Sequence, residues 1–323
     1  VTEKSSVSAP PSARVCPPRS AAVLEQAGWV SSGLLMLLVG MVGIGVPELW
    51  RDELATWSAA TRSVPQILSL ASNVDGVHAP YYLVMHGWIA VFGDSAVSMR
   101  APSLLAAAAA AGMVSLIGAR LFGRWAGFLA GLIFVLVPEV SRMAQEARPY
   151  ALLMFACALA TFLLLAALDD PGWWRWLRYG AAIVLVGLTN MVALAILAGH
   201  LAVVFVVWWR SREQRLMRAG VVTAAALLAL LPLLILGLGQ QARQITWIPR
   251  PSLLALLGVD HPFAQGGGLW TQVFRSAPVA YAVLVLAALA WLRRDRAKVA
   301  AVTAVAVLPV LAIWVMSRVG TSY

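Results

Sequence analysis

Apolar runs about as long as a bilayer's hydrocarbon core is thick recur along this whole sequence, broken only by short Arg-rich or Trp-rich stretches. A helix rises about 1.5 Å per residue, so roughly 20 residues cross a core of roughly 30 Å, and every backbone N–H and C=O is satisfied within the segment. The runs fall near 28–46, 101–119, 125–138, 150–168, 179–193, 195–209, 219–238, 276–292 and 299–316. They predict an all-α, polytopic membrane protein with about nine spans. With 61% of its 323 residues hydrophobic and 12% charged, the chain carries more apolar surface than a soluble fold of this size covers.

The formal charge of +10 comes from Lys and Arg residues scattered at segment ends, not from a basic stripe interleaved with aromatics, so nucleic acid is not an expected partner. Cys16 and Cys157 lie in a polar tail and an apolar run respectively, which gives no disulfide framework and no Cys/His metal pattern. Residues 1–27 are rich in Ser, Pro and Ala and lack the apolar centre of a cleavable signal. They are expected to form a disordered cytoplasmic tail, with 28–323 as one transmembrane domain.

The stretch His78 to Phe92 is apolar but only about fifteen residues long, short for a span. Positive charge decides its place. If it lies in the interface, Lys4, Arg14, Arg19, Arg120, Arg124, Arg175, Arg178, the Arg210–Arg218 cluster and the Arg293–Lys298 cluster all fall on the cytoplasmic side. The remaining basic residues, Arg51, Arg62, Arg100, Arg142, Arg148, Arg243, Arg250, Arg275 and Arg318, are spread one to three to an external loop. A crossing at 78–92 would invert both strong clusters. The expected protein is therefore a multi-pass protein of the plasma membrane with a cytoplasmic N-terminus and long external loops at 47–100 and 239–275.

Chemistry-bearing residues concentrate on that external side. Asp52-Glu53 follows the first span, and the next twenty residues, with Trp57, Val64, Ile67, Leu68 and Leu70, suit one amphipathic surface helix. Two carboxylates beside an apolar wall are material for a general base, although a helix N-terminus also favours acids there. His78-Ala79-Pro80-Tyr81-Tyr82 opens the interfacial segment: a His can protonate or bind a phosphate, while interfacial His and Tyr, His86 included, also serve as anchors. Gln145-Glu146-Ala147-Arg148-Pro149-Tyr150 offers a permanent cation whose forked donors match phosphate; a Glu146 ion pair with Arg142 or Arg148 is the structural alternative. Gln240 to Arg250 mixes amides, Arg and Trp, including Gln244, Trp247 and Arg250, and would suit a sugar ring and a phosphate or simply cap the membrane surface. Gly266-Gly267-Gly268 reads as a hinge.

In this order the motifs resemble the membrane-embedded GT-C glycosyltransferases, in particular bacterial relatives of protein O-mannosyltransferases and the aminoarabinose transferases of lipid A. The residues carrying the resemblance are Asp52-Glu53, His78-Ala79-Pro80-Tyr81-Tyr82 where the family usually has His-Pro-Pro-Leu-Tyr, Phe92-Gly93-Asp94 with Arg100-Ala101-Pro102-Ser103, Leu121-Phe122-Gly123-Arg124, and Glu146-Ala147-Arg148-Pro149-Tyr150. It is close over 51–168 and general beyond; Ala79 departs from the usual Pro, and the family's later helices and external C-terminal portion are expected to be missing.

The resemblance implies a GT-C-like helix bundle that transfers a sugar, mannose favoured over arabinose, from a polyprenyl-phosphate donor to an acceptor hydroxyl with inversion. The acceptor would be a glycan, glycolipid or protein. Asp52 would be the base and Glu53 its support, the two together binding a divalent metal where members use one. His78, Arg148 and Tyr150 would hold the donor phosphate, with Tyr81, Glu146, Gln244, Trp247 and Arg250 as further substrate contacts. Two other readings use the same features: a flippase or transporter for a lipid-linked substrate, or a non-catalytic scaffold. Against transport, ionisable residues are few inside the spans, and a bond from His200 to a neighbouring helix is the expected state of that exception.

Overall fold

A computed structural model of the protein describes residues 19–244, 252, 269–292 and 295–319. Among them the chain is helical, without strands. The helices are α1 (Arg19–Met41), α2 (Arg51–Ala60), α3 (Val64–Asn73), α4 (Ala79–Phe92), α5 (Ala96–Phe122), α6 (Arg124–Leu136), α7 (Pro138–Ala144), α8 (Tyr150–Asp169), α9 (Trp173–Thr189), α10 (Ile196–Ser211), α11 (Arg218–Gln244), α12 (Leu269–Phe274), α13 (Ala277–Leu289) and α14 (Arg296–Val319). Five stretches, 96–122, 150–169, 191–211, 214–240 and 296–318, are long and apolar enough to cross a membrane, six if α6 and α7 count as one bent span; Gly28–Met41 and Pro278–Leu292 are shorter apolar helices. This is an all-α polytopic membrane protein.

Helix α5 is the hub, packed against α1, α6 and α8. Its run of Ala106 to Ala111 followed by Gly112 presents almost no side-chain bulk, so neighbouring backbones approach closely. Gly127 of α6 faces it so tightly that a Cβ there would lie 2.4 Å from Ser115 O. Farther along, α8 packs on α9, α9 on α11, and α10 on α14. A polar bond set locks three of these helices: His200 of α10 meets Thr161 Oγ1 of α8 and Tyr179 OH of α9, each at 3.1 Å, as expected for that residue.

Several boundaries differ from the sequence reading, each for a local reason. Helix α1 begins at Arg19, ahead of the expected start at 28, because Ala21, Ala22, Leu24, Glu25 and Gln26 are good helix formers; residues 1–18 lie outside the described residues. The run at 125–138 ends in a 69° bend, since Pro138 cannot continue α6 and instead opens α7. The single surface helix expected after Asp52 is two helices, α2 and α3. Pro65 starts the second one, and its N-terminus is capped by the Gln66 side chain accepting from Ser63 N at 3.0 Å.

The stretch 78–92 forms α4, a helix of 14 residues. It lies with α2 and α3 in a platform whose core holds Ala59, Ala60, Ile67, Tyr81, Tyr82, Met85, Met99 and Ala147. His86 acts as an anchor there, its Nδ1 lying 2.9 Å from Ala60 O. Pro102, inside α5, has no N–H for the Ser98 carbonyl, and Trp88 Nε1 of α4 donates to it instead at 2.9 Å. Trp57 Nε1 ties α2 to the α4–α5 turn by donating to Asp94 Oδ2 at 2.9 Å.

The charged loops segregate by end. One end of α5 and α8 carries the Arg120–Asp169 and Arg175–Asp170 pairs, with Arg218 donating to Pro171 O and Lys298 to Leu121 O. The opposite end carries the platform, Asp52, Glu53, His78, Arg100 and Arg148.

Candidate functional site

Glu53 and Arg100 build the frame of this end. Arg100 lies one turn into α5, where the sequence reading had placed it just outside the span, and is 3% exposed; Glu53 is fully buried. Arg100 Nε and Nη2 donate to Glu53 Oε1 and Oε2 at 2.8 and 2.6 Å. Its remaining donors reach Ile44 O (2.7 Å), Pro47 O (2.9 Å) and Glu48 O (3.1 Å), so all five N–H groups of the guanidinium are in use. Glu53 Oε1 also accepts from Ala147 N at 2.8 Å and Oε2 from Trp50 N at 3.3 Å. One buried pair thus joins the end of α1, α2, α5 and the loop that carries Arg148.

Burial by itself raises the Glu53 carboxyl, but the Arg100 hydrogen bonds, the Ala147 N–H and the Arg100 charge together bring it below its ordinary 4.5. A depressed carboxylate contributes stability that is present above its unfolded value and lost as pH falls through the folded one. The wild type is therefore expected to lose more thermal stability below about pH 4.5 than Glu53→Gln does, each melted in detergent across pH. Parallel curves for the two proteins would refute this linkage.

The adjacent carboxylate is placed differently. Asp52 is 40% exposed, and its Oδ2 stands 3.9 Å from Arg148 Nη2. Arg148 is positioned by its loop: Ser103 Oγ of α5 donates to Arg148 O at 3.2 Å, and Pro149 stands at the N-cap position of α8. The Arg148 guanidinium lies 5.7 Å from the Tyr150 ring centroid, and its Nε is buried without a hydrogen-bond partner.

His78 closes the 3-10 turn Gly76–His78, which α11 holds in place: Gly76 N donates to Gln240 Oε1 and Gln240 Nε2 donates to Ala71 O, both at 2.8 Å. The His78 Nδ1 is buried and unpartnered, and burial followed by the Arg148 charge lowers its pKa, so the ring is neutral at neutral pH. Tyr82 stacks on it at 6.1 Å and its OH donates to Asp75 Oδ2 at 3.4 Å. Tyr81 OH is buried beside Ser103 without a bond of good geometry. Burial pushes both phenols up, Tyr82 to about 12, so neither ionises near neutrality.

Glu146 is 4% exposed; its Oε2 accepts from Arg142 Nη1 at 3.0 Å, while Oε1 is buried without a partner. Desolvation raises its pKa. Arg142 also donates through Nε to Glu139 Oε1 at 2.9 Å, and Glu139 accepts from Arg275 beyond α12 at 2.8 Å.

Asp52, His78, Tyr81, Glu146, Arg148 and Tyr150 are thus gathered at one end. Gln244 ends α11 on the same side, but its side chain, Trp247 and Arg250 lie outside the described residues. Sequence reasoning did not single out Arg100, Tyr82 or Gln240 as site residues. An Arg one turn inside a long apolar helix was the available signal for Arg100, because such a charge needs a partner. The residues do not fit a divalent cation: Glu53 has each oxygen already accepting two donors, and Asp52 faces a guanidinium. No group of three or more His, Cys, Asp or Glu among the described residues is arranged to hold one.

This cluster, with an exposed carboxylate against a half-free guanidinium and a neutral imidazole at one end of the bundle, can accept a proton and neutralise a departing anion. Residues 78–236, from His78 through Arg148 to α11, match the model of the family described as dolichyl-phosphate-mannose-protein mannosyltransferase, whereas Asp52 and Glu53 precede the matched stretch. No curated protein and no solved structure matches the chain. A helical membrane bundle and a match that runs through its site together support a membrane glycosyltransferase of the GT-C superfamily.

Proposed function

We propose that this protein moves a sugar, mannose before arabinose, from a polyprenyl phosphate to an acceptor hydroxyl on the extracytoplasmic side. The observation that carries the reading is the 3.9 Å approach of Arg148 to Asp52 beside the unpartnered His78 nitrogen. Asp52 takes the acceptor O–H proton as its oxygen attacks the anomeric carbon from the face opposite the phosphate. The bond from that carbon to the phosphate oxygen breaks, its electron pair leaves with the phosphate, and the configuration inverts. Arg148 meets the growing charge with fixed donors, and a neutral His78 can donate one hydrogen bond to the same phosphate. Glu53 acts through position: its pair with Arg100 sets the depth and direction of its neighbour Asp52.

The test follows label from polyprenyl-phosphate mannose into membrane acceptors. Membranes containing the wild type should transfer label that membranes lacking the chain do not. Arg148→Ala should lower transfer at subsaturating donor by about ten- to a hundredfold, as loss of a charge-assisted contact predicts, with Arg250→Ala changing it less. Equal losses would assign the phosphate to the wrong Arg, and wild-type transfer no higher than background would remove the transferase reading.

The segregation of charged loops by end supports this orientation under the positive-inside rule. Cys introduced at Ser72, exposed beside the site, should react with an impermeant thiol reagent applied to intact cells, and Cys at exposed Gln214 should not. The reverse labelling pattern would put the site in the cytoplasm.

A further inference from the structure

Next to the Asp52 cluster lies a cavity of about 380 Å³ whose wall includes Glu48, Trp50, Glu53, Arg100, Arg142 and Glu146. Most of its charge is already committed. Every donor of Arg100 and both oxygens of Glu53 are engaged with each other or with backbone, and Arg142 serves Glu139 and Glu146. What the wall has left to offer is the exposed Glu48 carboxylate, the buried and unpartnered Glu146 Oε1, the Gln145 amide oxygen, two remaining N–H groups of Arg142 and the ring of Trp50, which is 47% exposed. A buried oxygen without a donor is costly, and in this cavity a ligand O–H can supply the donor.

That inventory selects its occupant by chemistry. Arg142 is already balanced by Glu139 and Glu146 and Arg100 by Glu53, so Glu48 leaves the wall net negative; it disfavours a phosphate, which distinguishes this cavity from the Arg148 and His78 side. The volume is near the low end of small-molecule pockets, roughly 300–1,000 Å³, too small for an extended peptide. A pyranose presents O–H donors along its rim and C–H groups on its face, and the second of these suits an aromatic ring. Glu53, next to Asp52 in α2, lines the cavity, so a ring held here lies on the side of the carboxylate assigned as base.

We propose that this cavity is the acceptor subsite and takes a single sugar ring, with a ring hydroxyl donating to Glu146 Oε1 and the apolar ring face lying on Trp50. It rests on the transferase reading above and sharpens it: the acceptor hydroxyl belongs to a carbohydrate.

The experiment uses the full chain in detergent without any donor, so that it reads binding alone. An alkyl mannoside carrying a photoreactive diazirine next to the ring is crosslinked and mapped, with methyl mannoside and a Ser/Thr-rich peptide as competitors. Saturable labelling of the segment containing Glu48 and Trp50, competed by the glycoside and not by the peptide, is the expected result. Glu146→Gln and Trp50→Ala should each weaken labelling by about tenfold or more, as the loss of a hydrogen bond to a charged group or of a ring contact predicts. Ser72→Ala, in a separate groove beside α11, should not. Trp50 is exposed enough that its variant reports even if Glu146→Gln folds poorly. Unsaturable labelling, or competition by the peptide in place of the glycoside, would overturn the proposal. Sugar binding without transfer from any lipid donor would sink the transferase reading and leave the subsite standing. Transfer to peptide without sugar binding would do the opposite.

Discussion

Asp52→Asn is expected to lower sugar transfer by about 10²- to 10⁴-fold, the usual contribution of a positioned general base. Asn has the size of Asp and keeps one oxygen toward Arg148, but it cannot take a proton. Because Asp52 is 40% exposed and its one ion pair is a long 3.9 Å contact, its loss should cost little stability. The measurement is label transfer from polyprenyl-phosphate mannose at matched protein amounts, beside a melting curve of each purified protein. Transfer near the wild-type rate would rule out Asp52 as the base. A fall in transfer matched by a fall in folded protein would instead make the residue structural.

Arg100→Ala is expected to be the most damaging change to the fold at this end. It strands a fully buried Glu53 carboxylate and removes the donors from three carbonyls at the end of α1. Breaking a buried pair by removing one partner costs about 3–5 kcal/mol, a large part of the roughly 5–15 kcal/mol that holds a typical domain together. Lys should not rescue it, since one ammonium with three donors cannot reproduce a five-donor fork spread over four residues. Glu53→Leu combined with Arg100→Leu should lose less than the two single changes summed, because the double variant leaves no unpaired charge. Thermal melting of the four proteins reads this directly. An Arg100→Ala protein that melts with the wild type would refute the frame, as would strict additivity in the cycle.

The apolar helices were readable because length and hydropathy alone determine whether a segment can sit in lipid, although of the nine expected runs five, or six with α6 and α7 as one bent span, are long and apolar enough among the described residues. The meeting of Asp52, His78 and Arg148 was also legible, since each follows or precedes an apolar run on the same side. The division of labour between Asp52 and Glu53 was not. Adjacent carboxylates look alike in a sequence, and only the rotation of α2 decides that Glu53 turns inward to Arg100 while Asp52 turns out to Arg148. The break between α2 and α3 was written in Ser63-Val64-Pro65-Gln66, and it was missed because amphipathic spacing continues across it. The role of Gln240 depends on the C-terminal end of α11 reaching a turn 164 residues earlier, a contact that no local pattern announces.

The Glu53–Arg100 pair also sets an order on how the protein is made. Glu53 leaves the ribosome 47 residues before the cation that neutralises it and 94 residues before the Ala147 amide that completes its bonding. Until α5 is threaded into the membrane, that carboxylate must stay hydrated, which keeps α2 at the aqueous surface and prevents the platform from sinking early. In the finished bundle Arg100 holds Glu53, and with it α2, inward, and the same carboxylate holds the loop bearing Arg148 through the Ala147 amide. The end that gathers Asp52, His78 and Arg148 is therefore held by a charge pair whose halves are far apart in the chain and which needs the first half of the bundle to be complete.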